Sequence, residues 1–142
     1  MRGLLDTNVL SETIKPAPSE HVLRYLSGLD ESETYLSVIS LAELKFGIEK
    51  LPMGAKRGRL QRWFEQEIPM RFAGRVLGID QEIAAEWGRI RAEALRAGKP
   101  LSEMDGWIAA LASKHSLVLV TRNVTDFAGF DGRIVNPWDE IS

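Results

Sequence analysis

Two rhythms of hydrophobic and polar residues alternate along the chain. Short extended runs at residues 3–6, 33–37, 76–79, 117–120 and 134–135 read as strands. Between them, apolar residues return every three or four positions, the spacing of one helix face. Thr7 to Glu12 makes a helical turn that Lys15-Pro16-Ala17-Pro18 breaks. Ser19 suits the N-cap of a helix reaching about Gly28, with Val22, Leu23, Leu26 and Leu29 on one side. Ser40 is read as opening a second helix, with Leu41, Leu44, Ile48 and Leu51 as its stripe and Pro52 as its end. A charged helix covers 54–71. Asp80 caps a long one over 81–97 that carries Ile83, Ala84, Trp87, Ile90, Ala94 and Leu95; Gly98 and Pro100 close it. Ser102 opens another, with Met104, Ile108, Leu111 and Ala112 read as inward.

Strands that alternate with helices imply an α/β fold, a three-layer α/β/α sandwich around a parallel central sheet. The wholly apolar run at 117–120 suits a central strand covered on both faces. In such sheets, sites form beyond the carboxyl ends of the strands. No repeat, low-complexity tract or linker interrupts the pattern, and 142 residues fit one domain over 1–142.

Composition narrows the chemistry. The absence of cysteine removes disulfides and thiolate metal sites, so a metal would need oxygen ligands or His21 and His115. Oxygen ligands favour hard cations such as Mg²⁺ or Mn²⁺. No apolar stretch reaches the ~18 residues of a membrane span, and the first run is too short for a signal peptide. A cytoplasmic protein without a membrane partner is expected. A net charge of -2 gives no global basic footprint, so contact with nucleic acid would need a local patch. Lys56, Arg57, Arg59 and Arg62 read as a solvated helix face or as a guide for RNA phosphates. Trp63, Phe64, Phe46 and Leu60 read as core or as a subunit interface.

Four acidic residues stand at strand ends or helix starts: Asp6, Glu43, Asp105 and Asp126. Each has a local reading. Asp6 can cap the helix after it. Glu43 and Asp105 lie three residues beyond Ser40 and Ser102, the spacing of a capping box. Asp126 fits a turn. The alternative is that folding gathers them into one anionic pocket, where like charges repel and a divalent cation relieves the repulsion. Such an ion polarises a phosphodiester and activates water, giving hydrolysis without a covalent intermediate. Arg122, beside Asp126, is the better candidate for a phosphate contact. Rival fingerprints are missing: no P-loop, no dinucleotide Gly-x-Gly-x-x-Gly after a strand, no Gly-x-Ser-x-Gly elbow. His115, near a helix end, reads as a dipole partner or surface residue.

These residues stand in a familiar order. Leu4-Leu5-Asp6-Thr7-Asn8-Val9-Leu10-Ser11-Glu12 resembles the opening of PIN-domain proteins. Ser37 to Gly47, around Glu43, resembles their second motif, Asp105-Gly106-Trp107-Ile108-Ala109-Ala110 the third, and Thr121-Arg122-Asn123-Val124-Thr125-Asp126-Phe127 the fourth. Val135-Asn136-Pro137-Trp138 fits as an ending. The resemblance is closest to the VapC and FitB branch, the toxin ribonucleases of type II toxin–antitoxin modules. It implies a Mg²⁺- or Mn²⁺-dependent endoribonuclease in which Asp6, Glu43 and Asp105 hold the metal; the family's fourth acidic position falls at Asn123 or at Asp126, and Asp126 is favoured as the contributor at the edge, through water. It implies that Thr7 orients a water or Asp6, and that Asn123 is a neutral ligand or substrate contact. It also implies a homodimer and a cognate antitoxin that blocks the pocket. A non-catalytic PIN module binding RNA or a protein is the alternative.

Overall fold

The structure, a computed structural model, describes residues 1–139; the last three residues of the expected domain lie outside the described residues. Its elements follow in chain order. Strand β1 (Gly3–Leu5) leads into helix α1 (Thr7–Thr13), then α2 (Glu20–Ser27), β2 (Thr34–Ser37) and α3 (Val38–Glu49). Next come α4 (Ala55–Arg62), a π-helical turn (Trp63–Glu67) and α5 (Ile68–Arg71). Strand β3 (Val76–Leu77), α6 (Gln81–Arg96), α7 (Glu103–Lys114), β4 (Val118–Val120) and β5 (Ile134–Val135) complete the order.

The strands form one parallel five-stranded sheet in the order β3-β2-β1-β4-β5. Side chains alternate across it. Leu4 and Leu119 pack with Ile83, Ile90, Ile108 and Leu111 on the α6–α7 side. Leu5, Leu36 and Val120 pack with Val9, Leu10, Val22, Trp63 and Phe72 on the other. Two such layers of helix around one sheet make the expected three-layer α/β/α sandwich. The connection from β1 through β2 to β3 runs one way and β4 lies on the other side of β1. The chain therefore reverses direction across the sheet at β1 and β4, where ligands of open parallel sheets bind.

Several local expectations change. Helix α3 begins at Val38, and its N-cap is Ser37, whose hydroxyl accepts from the Ser40 amide at 3.0 Å. Ser40 is therefore inside the first turn, and the Ser40–Glu43 capping box does not form. The 54–71 helix is divided by its π turn. The third strand stops at Leu77, two residues short of the expected end. Met104 and Leu95 are exposed, as are Leu23 and Ala84, because the sheet-facing stripe of each helix is narrower than its apolar pattern. The caps of α2 by Ser19, α6 by Asp80 and α7 by Ser102 form as expected, and Gly98 takes the positive φ of +74° that ends α6. No helix among the described residues is long and apolar enough to cross a membrane.

Candidate functional site

The register of β1 and β4 pairs Leu5 with Val120, so Asp6 and Thr121 leave the sheet side by side. The Asp6 amide still donates to the Val120 carbonyl at 2.9 Å, which fixes its backbone to the strand edge. Its side chain is buried and accepts three hydrogen bonds: from the Thr7 amide at 2.8 Å, the Thr121 hydroxyl at 2.8 Å and Asn8 Nδ2 at 3.3 Å. Asp6 thus does cap α1, and the cap leaves it facing the end of the sheet. The Thr121 hydroxyl also accepts the Asn123 amide at 3.0 Å, and Asn8 Oδ1 accepts the Arg122 amide at 3.1 Å. The loop carrying the fourth motif is tied to the first.

Asp105 stands in the first turn of α7. Its amide is bonded to the Ser102 hydroxyl at 3.1 Å, and its carboxyl is partly buried. Burial pushes the Asp6 carboxyl above the ordinary aspartate range, with the charge of Asp126 adding to it and the hydrogen bonds opposing it. Burial likewise raises Asp105, and the charges of Asp6 and Asp126 raise it further. Asp6, Asp105 and Asp126, three of the four expected residues, therefore lie in one field at the carboxyl end of the sheet. Asp126 sits in a short 3₁₀ turn, Thr125–Phe127, anchored by the fully buried Phe127.

Glu43 joins through Thr7. The Thr7 hydroxyl lies 2.7 Å from Glu43 Oε1 and 2.9 Å from Ser40 Oγ. With one proton to give, Thr7 donates to the carboxylate and accepts from Ser40. Glu43 itself is exposed. Among the described residues, no three acidic or histidine side chains are spaced so as to enclose a metal ion by themselves. The four carboxylates share one end of the sheet without closing on one point. The donor set nonetheless fits a hard divalent cation. It is all oxygen, and the charges that raise Asp6 and Asp105 are those of other carboxylates.

The remaining candidates fall near this centre or apart from it. Arg122 is exposed and lays its guanidinium over the Trp138 ring at 4.9 Å. Asn123 is exposed beside it. Arg57 turns away to Glu49 at 2.7 Å and the Leu51 carbonyl at 3.2 Å. His21 lies exposed on α2, and His115 closes α7 at its C-cap. Trp63 is core, whereas Phe46 is 65% exposed with the Lys50 ammonium over its ring. Thr121 and Asn8 hold the site without a sequence reading of their own, and Ser40, expected only as a cap, bonds to Thr7 instead. The signal for Thr121 was present: a hydroxyl residue directly after an apolar strand is placed like Asp6 after β1.

The chain is similar to proteins of known type. The chain is 42% identical to the toxin FitB of Neisseria gonorrhoeae over 96% of this chain and 99% of that one. The crystal structure of FitAcB from the same organism superposes with a TM-score of 0.91, covering 96% of this chain and 99% of that one. A tRNA(fMet)-specific endonuclease VapC of Shigella flexneri is 31% identical over 97% of this chain and 98% of its own. A toxin–antitoxin complex from Klebsiella pneumoniae matches with a TM-score of 0.73 at 28% identity, covering 97% and 99% of the two chains. The PIN domain family model matches residues 3–132, and the chain accordingly belongs to the PIN domain family, among the FitB and VapC toxins.

Proposed function

We infer that this chain is the ribonuclease toxin of a type II toxin–antitoxin module. The observation that carries the inference is the shared field of Asp6, Asp105 and Asp126 at the carboxyl end of a parallel sheet, in a chain whose relatives are FitB and VapC toxins. Carboxylates raised by burial and by a neighbouring negative charge are costly to stability unless a cation or proton accompanies them. Keeping them here is understandable if they bind something.

The cofactor we propose is Mg²⁺ or Mn²⁺. Asp6 and Asp105 would be its principal ligands, with Glu43 assisting and Asp126 contributing at the edge. When bound, such an ion lowers the pKa of a water and neutralises charge on a phosphodiester. The chain's own residues do the remaining work. Thr121, Asn8 and the Thr7 amide fix the Asp6 carboxylate, leaving little freedom in its orientation. Thr7 and Ser40 hold Glu43 at the rim. Arg122 and Asn123 extend from the tied loop as contacts for RNA. The partner is a cognate antitoxin, supported by the toxin–antitoxin complex among the structural relatives. A homodimer would cover exposed apolar side chains such as Phe46 and Met70.

The test is cleavage of a mixed single-stranded RNA pool by the purified protein with Mn²⁺, with Mg²⁺ and with EDTA. Metal-dependent internal cuts, lost in Asp6→Asn, are expected. If wild type leaves every RNA intact with either metal, or Asp6→Asn cuts at the wild-type rate, the reading fails.

A further inference from the structure

A cavity of 290 Å³ opens beside the carboxylates, between α1, α3 and α4. Thr7 and Glu43 are part of its wall, so it is continuous with the acidic site. Leu44, Leu60 and the buried Trp63 give it an apolar floor. The π-helical turn begins at Trp63 itself; such turns recur at functional sites. Exposed Lys15, Lys56 and Arg59 stand around the mouth. Lys15 pairs with Glu12 at 2.9 Å, but among the described residues neither Lys56 nor Arg59 makes an ion pair with a carboxylate.

The volume lies at the small end of ligand sites, which run from about 300 Å³. It accommodates one flat ring system and excludes a duplex. An apolar floor with an aromatic side chain suits the face of a base, and unpaired cations at the mouth suit phosphates on either side of it. The wall shared with Thr7 and Glu43 places such a base next to the carboxylates. We propose that this cavity is a nucleoside pocket: it takes one unstacked base adjoining the phosphate that a cation held by the carboxylates would bind, and so restricts the protein to unpaired RNA. The proposal rests on the nuclease reading for its geometry.

Gly47 gives a clean test. It lines the cavity within α3, and a Cβ there meets no atom within 4 Å, so Gly47→Leu fills the space from a helical position without a clash at that atom. Gly88→Leu, on the exposed side of α6 with equally open surroundings, is the control. Binding of a fluorescent, unstructured 12-nucleotide RNA and of its annealed duplex is measured by anisotropy in EDTA. Gly47→Leu is expected to weaken single-strand binding about tenfold, the loss of one stacked base. Gly88→Leu should bind as wild type, and wild type should bind the duplex at least tenfold less tightly. In parallel, the wild-type protein is photo-crosslinked to a 4-thiouridine version of the single strand, which should label the peptide carrying Leu60 and Trp63 whether or not the Gly47 variant folds.

Unchanged binding by folded Gly47→Leu, equal binding of duplex, or crosslinks that avoid the cavity would each overturn the pocket. So would a Gly47→Leu protein that loses its antitoxin while keeping RNA, because the cavity would then be a protein site. Cleavage with Mn²⁺ separates the two ideas. Pocket-dependent binding without any cleavage leaves the pocket and removes the nuclease; wild-type cleavage and binding by Gly47→Leu do the reverse.

Discussion

The Thr121 hydroxyl donates to Asp6 Oδ2 at 2.8 Å across 115 positions of sequence. The bond joins the ends of β1 and β4, and Thr121 is fully buried. Because the same hydroxyl accepts the Asn123 amide, it sets the loop and the carboxylate together. Groups that orient a ligand carboxylate typically change metal affinity or activity by about 10–100-fold when removed. Thr121→Val should therefore cut RNA at least tenfold more slowly, with a raised metal requirement. Thr121→Ser should recover most of the activity, since it keeps the hydroxyl and loses only a methyl. A Val variant as active as wild type would show that Asp6 is positioned without this bond.

Asp105 offers a stability test that needs no substrate. Its folded pKa lies above the ordinary value of 3.8, through burial first and the charges of Asp6 and Asp126 after it. A raised acid binds more protons in the folded state, so its ionisation opposes folding above the folded pKa and the penalty vanishes below pH 3.8. In EDTA at pH 7, Asp105→Asn should stabilise the fold by about 0.5–1 kcal/mol, allowing for screening at this partly exposed position. For a chain of this size that is a rise of about 2–4 °C in Tm. At pH 3 the gain should be gone. Mn²⁺ should raise the Tm of wild type more than that of Asp105→Asn. Calorimetry that finds Asp105→Asn less stable than wild type at pH 7 in EDTA would mean the carboxylate is already compensated by the protein.

Much of this was visible in the sequence, and the reasons are local. Strands with wholly apolar or alternating residues, and helices with Ser or Asp caps, followed rules that act over a few residues. Ser19, Asp80 and Ser102 cap where they were expected to. The failures came where two local signals competed. Ser37 and Ser40 both offer a cap at the start of α3, and the end of β2 at Ser37 makes Ser37 the cap and leaves Ser40 inside the first turn. Asp6 caps α1 through Oδ1 and still faces the end of the sheet, so its local cap role and its place at the site are compatible. The roles of Thr121 and Asn8 depend on the β1–β4 register, which no local pattern encodes. The cavity beside Glu43 also arises from packing, among α1, α3 and α4.

Glu86 is an acidic residue displaced in the opposite direction from Asp6 and Asp105. It is buried against α7, where Arg89 grips both of its oxygens at 2.8 and 2.6 Å and the Ser113 hydroxyl donates to Oε2. The Arg89 bonds lead in holding its carboxyl down at about 2. A depressed acid contributes stability above its unfolded pKa of about 4.5, and that contribution is lost as pH falls from there towards 2. Glu86→Gln should cost about 1.5–3 kcal/mol at pH 7, the range of a charged hydrogen bond, and much less at pH 2. Urea unfolding at the two pH values measures it. A pH-independent loss would assign the effect to packing between α6 and α7 instead.

Gly106, next to Asp105, lies where the helix has no room for a side chain. A Cβ there would approach Arg91 Cγ and Cδ and Trp87 Nε1 to 2.9 Å. Those two side chains brace the start of α7. Trp87 Nε1 donates to the Glu103 carbonyl at 2.9 Å and its ring stacks on Trp107 at 4.8 Å, while Arg91 lies over Trp87 and reaches the Leu101 carbonyl at 3.2 Å. Alanine is the better helix former by about 1 kcal/mol, but overpacking costs about 1–3 kcal/mol, so Gly106→Ala should be net destabilising. Gly88→Ala in α6 meets nothing within 4 Å and should stabilise by about 0.5–1 kcal/mol. The pair separates helix propensity from packing at similar chemistry. Because the displaced Trp87 and Arg91 hold the turn that carries Asp105, Gly106→Ala should also lower RNA cleavage several-fold at temperatures where it remains folded, and Gly88→Ala should not. Thermal unfolding and initial cleavage rates check both; a Gly106→Ala protein that is more stable than wild type and equally active would show that the Arg91–Trp87 brace yields freely.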